Sequence, residues 1–114
     1  MEYLLLIYEG EARFAGLSKT ELNTELGEYR AFGEKFAKAI RGGNALKPTG
    51  TASTVRVRNG KSLTTDGPFA ETKEQLGGYY LVEAADLDQA LEMAAKIPAA
   101  RHGSIEVRPI MKFS

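Results

Sequence analysis

Ionisable and aromatic side chains are concentrated in residues 65–80, which read Thr-Asp-Gly-Pro-Phe-Ala-Glu-Thr-Lys-Glu-Gln-Leu-Gly-Gly-Tyr-Tyr. Asp66 opens a turn, since aspartate bonds its own backbone, glycine supplies a positive φ and proline fixes the next residue. The Asp66 carboxylate could instead act as a general base or a substrate anchor, a role that requires burial in a pocket. Lys73 could bind an anion with Glu71 as its partner, and a solvated loop is the alternative for both.

Three aromatic residues and one histidine complete the candidate site. We expect Phe69 to anchor the loop to the core rather than to stack on a ligand. Tyr79 and Tyr80 point to opposite faces of their strand, so one enters the helix–sheet core and the other could hydrogen-bond a ligand beyond it. His102 is the single histidine of the chain and follows Arg101 in a loop. Histidine is suited to acid–base chemistry, which makes His102 a second catalytic candidate.

Composition restricts the class of protein. A length of 114 residues, 43% of them apolar, fits one soluble domain spanning residues 1–114. Lys plus Arg equals Asp plus Glu at 15 each, which argues against direct nucleic-acid binding. With no cysteine and one histidine, thiolate chemistry and a histidine-rich metal site are excluded, and we expect no cofactor. The longest apolar run, residues 3–8, is too short to cross a membrane and lacks the features of a signal peptide, so we expect a cytoplasmic protein.

Hydrophobic periodicity predicts four main strands, two helices and a hairpin. The strands are residues 3–8, 44–48, 78–84 and 104–110, the helices 18–41 and 86–98, and the hairpin 53–58 with 61–65. Asn59-Gly60 is a strong hairpin-turn signal, and Gly42-Gly43 should end the first helix. The stripe predicted to be buried on that helix is Leu22, Leu26, Tyr29, Gly33, Phe36 and Ile40.

Within that stripe, Gly33 marks a point where the helix backbone should lie close to the sheet, and Phe32 should flank the stripe. The second helix should bury Leu87, Ala90, Leu91, Ala94 and Ile97. This order of elements predicts an α+β, ferredoxin-like βαββαβ sandwich with an inserted hairpin, in which the first and third main strands are central. Both of those strands are apolar on both faces, so we expect a second copy to cover the free sheet face in a homodimer.

The whole chain resembles the YCII-related family, in its DGPF branch. The residues that carry the resemblance are Asp-Gly-Pro-Phe at 66–69, Glu-Thr-Lys-Glu at 71–74 and Gly-Gly-Tyr at 77–79, with the segments 3–8, 86–98 and 103–109. The resemblance implies a dimeric α/β barrel, a fold that houses monooxygenases, isomerases, lyases and dehalogenating enzymes. It also implies an association with extracytoplasmic-function sigma factors. The family's proposed catalytic pair places a histidine on the first helix, and this chain has none there.

Two functions follow from these observations. The first is a small dimer that binds a small polar organic molecule and performs cofactor-free proton transfer of the isomerase or lyase type. Asp66 would be the base or anchor, Lys73 the anion partner, and Tyr79 or Tyr80 a wall of the pocket. The second is a non-catalytic regulatory protein that works with a sigma-factor-linked partner.

Overall fold

The computed structural model describes residues 1–113 and contains two antiparallel sheets. Its helices and strands are β1 Glu2–Glu9, α1 Glu11–Ala15, α2 Lys19–Lys35, β2 Ile40–Ala45, β3 Ser53–Arg58, β4 Lys61–Asp66, β5 Gln75–Glu83, α3 Leu87–Lys96 and β6 Ser104–Pro109. Four strands form the larger sheet in the order β2-β5-β1-β6, and β3 and β4 form the smaller one. The prediction that the first and third main strands are central is confirmed.

The sheet is covered on one face only. Side chains of β1 alternate, so that Tyr3, Leu5 and Ile7 are buried beneath the helices while Leu4 and Leu6 on the opposite face are partly exposed. Alternation of this kind is typical of an antiparallel sheet with one face packed against helices. Helices α2 and α3 therefore lie over the same face of the sheet. A single chain does not bury both faces of its central strands, contrary to the prediction from the sequence.

Helix α2 buries a face that overlaps the predicted stripe only in part: Tyr29, Phe36 and Ile40 of the stripe pack against the core. Phe32, expected at the margin, is 4% exposed, whereas Leu26 is 47% exposed. The Phe32 ring packs against Phe36 and Tyr80, with ring centroids 5.0 Å apart in both pairs. The interpretation of Gly33 as a close approach is wrong, because a Cβ built there would meet nothing within 4 Å.

The predicted end of the first helix is also wrong. Helix α2 ends at Lys35, and the glycines expected to stop it lie within β2, which spans Ile40–Ala45 rather than 44–48. A Cβ on Gly43 would lie 2.7 Å from the carbonyl oxygen of Tyr79. Close pairing with β5, not helix termination, therefore explains why a side chain cannot be accommodated at Gly43.

The remaining elements agree with the sequence in most respects. Ser18 and Glu21 form a capping box at the start of α2, and the Asp86 side chain caps α3 by accepting from Gln89 N. Helix α3 buries Ala90, Met93 and Ala94, while Leu87 and Leu91, predicted as buried, are about half exposed. None of the helices in residues 1–113 is long and apolar enough to cross a membrane.

Two short connections in the chain have well-defined local structure. The segment that follows β1 contains the short helix α1. The carboxylate of Glu11 in this turn accepts from the backbone N–H of Thr49 at 2.6 Å and from its hydroxyl at 3.1 Å. Strand β4 turns back from β3 through Asn59 and Gly60, both at positive φ as the Asn-Gly signal predicted.

Candidate functional site

A buried carboxylate lies where β1, α1 and α2 meet. Glu25 of α2 is 6% exposed and is the one buried charged residue among residues 1–113. A buried charge is costly unless it is paired, and the guanidinium of Arg13 donates a hydrogen bond of 3.1 Å to Glu25 Oε1. His102 Nε2 lies 3.6 Å from the same oxygen. The guanidinium of Arg13 and the imidazole of His102 therefore both face the same carboxylate oxygen of Glu25.

A second carboxylate faces this group from the last residue of β1. Glu9 Oε2 lies 3.9 Å from Arg13 Nη1, beyond hydrogen-bonding range. Burial and the negative charge of Glu25 raise the pKa of the Glu9 carboxyl, and the positive charge of Arg13 opposes that rise. Glu9 Oε2 and Glu25 Oε2 are both buried without a hydrogen-bond partner, so the cluster holds acceptor atoms that its own donors do not use.

A phenol completes the cluster, which we define as Glu9, Arg13, Glu25, Tyr29 and His102. Tyr29 follows Glu25 by four residues and so projects from the same face of α2. Burial, and then the charges of Glu9 and Glu25, raise the pKa of the Tyr29 hydroxyl. This phenol therefore stays protonated and does not act as a base.

The position of His102 depends on its neighbours in the chain. Arg101 donates to both carboxylate oxygens of Glu28 on α2, at 2.7 and 2.8 Å. Any Cβ on Gly103 would overlap the carbonyl oxygen of Tyr8. The ion pair on one side and the close approach to β1 on the other hold the histidine loop against the cluster.

The cluster has the groups needed for proton transfer. Glu25 can stabilise a protonated imidazole, and His102, which is partly exposed, can exchange a proton with a bound molecule or with solvent. No group of three or more His, Cys, Asp or Glu side chains in the described part of the chain is arranged to hold a metal ion. Two shallow grooves of ≈ 370 and ≈ 400 Å³ lie between α2 and α3 and do not include the cluster.

The residues chosen from the sequence in segment 66–73 lie in an exposed loop. Asp66, Glu71 and Lys73 are exposed, and their assignment as site residues remains a prediction. Phe69 is 78% exposed, so its interpretation as an anchor in the core is wrong for a single chain. A Cβ on Gly10, which follows Glu9, would lie 3.9 Å from the carbonyl oxygen of Lys73, which places this loop beside the end of β1.

The same loop is also tied to the strand that follows His102. Ser104 donates from its hydroxyl to Glu74 Oε1 at 2.8 Å, and Ser104 pairs with Tyr8 of β1. Residues 67–74 and the histidine loop therefore meet at one end of the sheet. The structure thus brings the sequence-predicted loop and His102 to the same edge of the molecule.

The two tyrosines separate as predicted. Tyr80 packs on Phe32 in the helix–sheet core, and burial raises the pKa of its hydroxyl. Tyr79 is on the opposite face, where its hydroxyl accepts a hydrogen bond of 2.9 Å from the side-chain amide of Asn44. Tyr79 is therefore available to a molecule on the uncovered face of the sheet, and Tyr80 is a core residue.

Sequence reasoning gave no role to three of the five cluster residues, Glu9, Arg13 and Glu25, and it assigned Tyr29 only to the buried stripe of the first helix. One signal was present in the α2 pattern. Glu25 lies three residues after Leu22 and four before Tyr29, so a charged side chain falls on a face that was predicted to be apolar. A carboxylate at such a position requires a partner, and that partner could not be identified without the fold.

Comparison with known proteins places the chain in a family. The model of the YCII-related domain matches residues 1–114. An uncharacterised protein of Rhizobium meliloti (strain 1021), R00369, is 40% identical over 117 residues, covering 99% of this chain and 94% of the relative. A solved structure of 5-chloro-2-hydroxyhydroquinone dehydrochlorinase from Burkholderia phenoliruptrix AC1100, in complex with 2,5-dihydroxybenzoquinone, matches over 97% of this chain and 94% of its own, with a TM-score of 0.50 and 14% identity, a likeness of fold alone. The chain belongs to the YCII-related domain family.

Proposed function

We propose that this protein binds a small organic molecule at the Glu9–Glu25–His102 cluster and transfers a proton to or from it without a cofactor. The observation that carries the proposal is the buried Glu25 carboxylate, which has one oxygen shared by Arg13 and His102 and the other unpartnered. A buried charge costs folding free energy, and packing alone does not require one. Buried ionisable groups of this kind are concentrated at functional sites.

The division of roles follows from exposure. His102 is the acid–base group that reaches the bound molecule, because it is more exposed than Glu25. Glu25 orients the imidazole through the oxygen that faces it, and Arg13 holds that carboxylate in place by donating to the same oxygen. Asp66, Glu71 and Lys73 belong to the loop that borders the site, where Lys73 would attract an anionic group of the ligand.

The reaction we favour is an isomerisation or elimination, since both need a base and an acid and nothing else. The dehydrochlorinase with a similar fold carries out an elimination, as its name states, and holds a small quinone in its structure. At 14% identity this similarity supports the choice of ligand class and does not assign the substrate.

We also propose that the protein is a DGPF-branch homodimer, in which two ferredoxin-like chains, each with an inserted hairpin, pair as a dimeric α/β barrel. The uncovered sheet face supports this, since it presents partly exposed apolar side chains in the middle of the sheet: Leu4, Leu6, Tyr8, Tyr79 and Leu81. A large apolar patch on a soluble protein is usually an interface. A sigma-factor-linked partner stays a prediction.

The test uses the single histidine as a spectroscopic reporter. We expect 2,5-dihydroxybenzoquinone to shift the imidazole NMR signals of His102 in the native protein. The isosteric variant Glu25→Gln should bind the same probe at least about tenfold more weakly, a change of roughly 1.4 kcal/mol. Glu34→Gln removes a carboxylate from an exposed position of the same helix and should bind like the native protein.

Two outcomes would contradict the assignment. Binding of the quinone without any change at His102 would place the ligand elsewhere. Equal binding by the native protein and Glu25→Gln, combined with a loss in Asp66→Asn, would move the site to the exposed loop. Small carboxylic acids, screened in the same way, test whether Lys73 attracts an anionic group, and Lys73→Gln should then weaken their binding.

A further inference from the structure

The two grooves between α2 and α3 join into one. Their volumes are ≈ 370 and ≈ 400 Å³, and Lys35, Phe36 and Lys96 border both of them. We call the combined feature the helix groove. Glu28 and Phe36, which border it from α2, lie about 12 Å apart along the helix axis at 1.5 Å per residue. The helix groove is therefore at least two helical turns long.

The floor of the helix groove is apolar. Phe32 and Met93 lie beneath it and are 4% and 3% exposed. Phe36 packs on Phe32 and is partly exposed. Ala31 from the end of α2 and Ala95 from α3 border the groove and are both exposed. These small side chains leave the ring of Phe36 open to an apolar group from outside.

The walls of the helix groove carry like charges. Lys35 comes from α2 and Lys96 from α3, and the ammonium of Lys35 lies 5.5 Å from the centroid of the Phe36 ring. Lys38 and Arg41 add two cations to the first part of the groove. Within residues 1–113, none of these four cations forms an ion pair with a carboxylate. Like charges on two walls repel each other, so an anion placed between them is attracted by both.

Acidic residues of the lining do not cancel this charge. In the first part of the groove Glu83 and Glu92 stand against four cations. In the second part Glu28 stands against three, and its two oxygens already accept from Arg101 at 2.7 and 2.8 Å. Each part therefore has two more cations than acids, and these charges lie on the surface that an occupant would touch.

Shape and charge together fit an acidic amphipathic helix better than a small molecule. A small-molecule site buries most of its ligand, and a shallow groove that is open along its length does not. An amphipathic helix in a groove needs only a stripe of apolar anchors at spacings of three and four residues. A length of about 12 Å accommodates two turns of such a helix, whose acidic flanks then reach the cations on both walls.

We infer that the helix groove is a docking surface for a short acidic amphipathic helix of a partner protein. The apolar stripe of that helix lies on Phe36 between Ala31 and Ala95, and its carboxylates pair with Lys35 and Lys96. The groove does not include the proposed ligand site. The docking surface is therefore separate from that site and independent of the reaction proposed there.

A synthetic peptide tests this inference. The probe is a fluorescently labelled peptide of about fourteen residues, long enough to form a helix on binding, with leucines along one helical face and glutamates on both flanks. The control peptide has the same composition, with the leucines distributed around the helix. Fluorescence anisotropy should show the amphipathic peptide binding at least about fivefold more tightly. Equal binding of the two peptides, or no binding at about 1 mM peptide, would overturn the inference.

Matched lysine pairs then locate the contact. Lys35→Gln with Lys96→Gln should weaken binding of the amphipathic peptide about fivefold or more at low salt. Lys19→Gln with Lys61→Gln removes the same charge from exposed positions outside the groove and should change binding by less than about twofold. Equal losses in the two variants would show attraction by general charge and refute docking in the groove. Quinone binding at His102 should be unchanged in both, so either proposal can fail without the other.

Discussion

Replacing Glu25 by methionine should stabilise the protein while abolishing ligand binding. Glu25 Oε2 is buried without a partner, and an unsatisfied buried polar atom costs about 1–3 kcal/mol. Against this, the variant loses the hydrogen bond from Arg13 at 3.1 Å, to which we assign about 1 kcal/mol because Arg13 is partly solvated and keeps Glu9 as a partner. Methionine adds roughly 1 kcal/mol of apolar burial.

The sum favours the variant by about 1 kcal/mol or somewhat more, because Arg13 and His102, the two groups left without Glu25, are both partly exposed and can be solvated. Urea unfolding at one fixed protein concentration measures this difference, since the stability of the proposed dimer would depend on concentration. The midpoint temperature of thermal unfolding should rise by about 4 °C. Glu34→Met, at an exposed position of α2, is the control and should change stability by less than about 0.5 kcal/mol.

A loss of more than about 2 kcal/mol in Glu25→Met would refute this reasoning, because it would show that the Arg13–Glu25 pair is a structural requirement. Retention of quinone binding by a stable Glu25→Met protein would refute the catalytic interpretation instead. The two measurements therefore address the structural and the functional roles of one side chain separately.

Further variants test the cluster and the core. The pKa of Glu9 is raised above its ordinary value of 4.5 in the folded protein, so its contribution to stability is present at low pH and lost as pH rises through the folded pKa. Glu9→Gln should thus be more stable than the native protein at pH 7 and lose that advantage below pH 4.5; a constant difference in urea unfolding across this range would contradict the prediction. Phe32→Ala should cost about 3–5 kcal/mol in the same assay, and Leu26→Ala, which alters a half-exposed residue, less than about 1 kcal/mol. Similar losses for both would show that α2 buries the stripe predicted from the sequence.

The differences between prediction and structure have physical causes. The stripe on α2 was assigned by spacing alone, and spacing does not determine which side of a wide apolar face turns to the sheet. Phe32 and Leu26 both fit a helical period, and Phe32 is the one that packs against the ring of Tyr80 on the sheet. Gly42-Gly43 fits both a helix end and a crowded strand, and pairing with β5 decides for the strand.

The site shows the same limit more clearly. Asp66, Glu71 and Lys73 were selected because they are close in sequence, and they lie in an exposed loop. The cluster instead joins Glu9, Glu25 and His102, residues from a strand, a helix and a loop that are distant in sequence. Composition identified His102 as a candidate, but its partner is fixed by the packing of α2 over the end of β1.

The sequence by itself determined the class of fold, the two central strands and the turn between β3 and β4, because short-range periodicity and turn chemistry encode these features locally. The tertiary structure decided which carboxylates are buried, which oxygen His102 faces, and which face of the four-stranded sheet lacks cover. Those properties depend on contacts between residues distant in sequence, and local patterns do not carry that information.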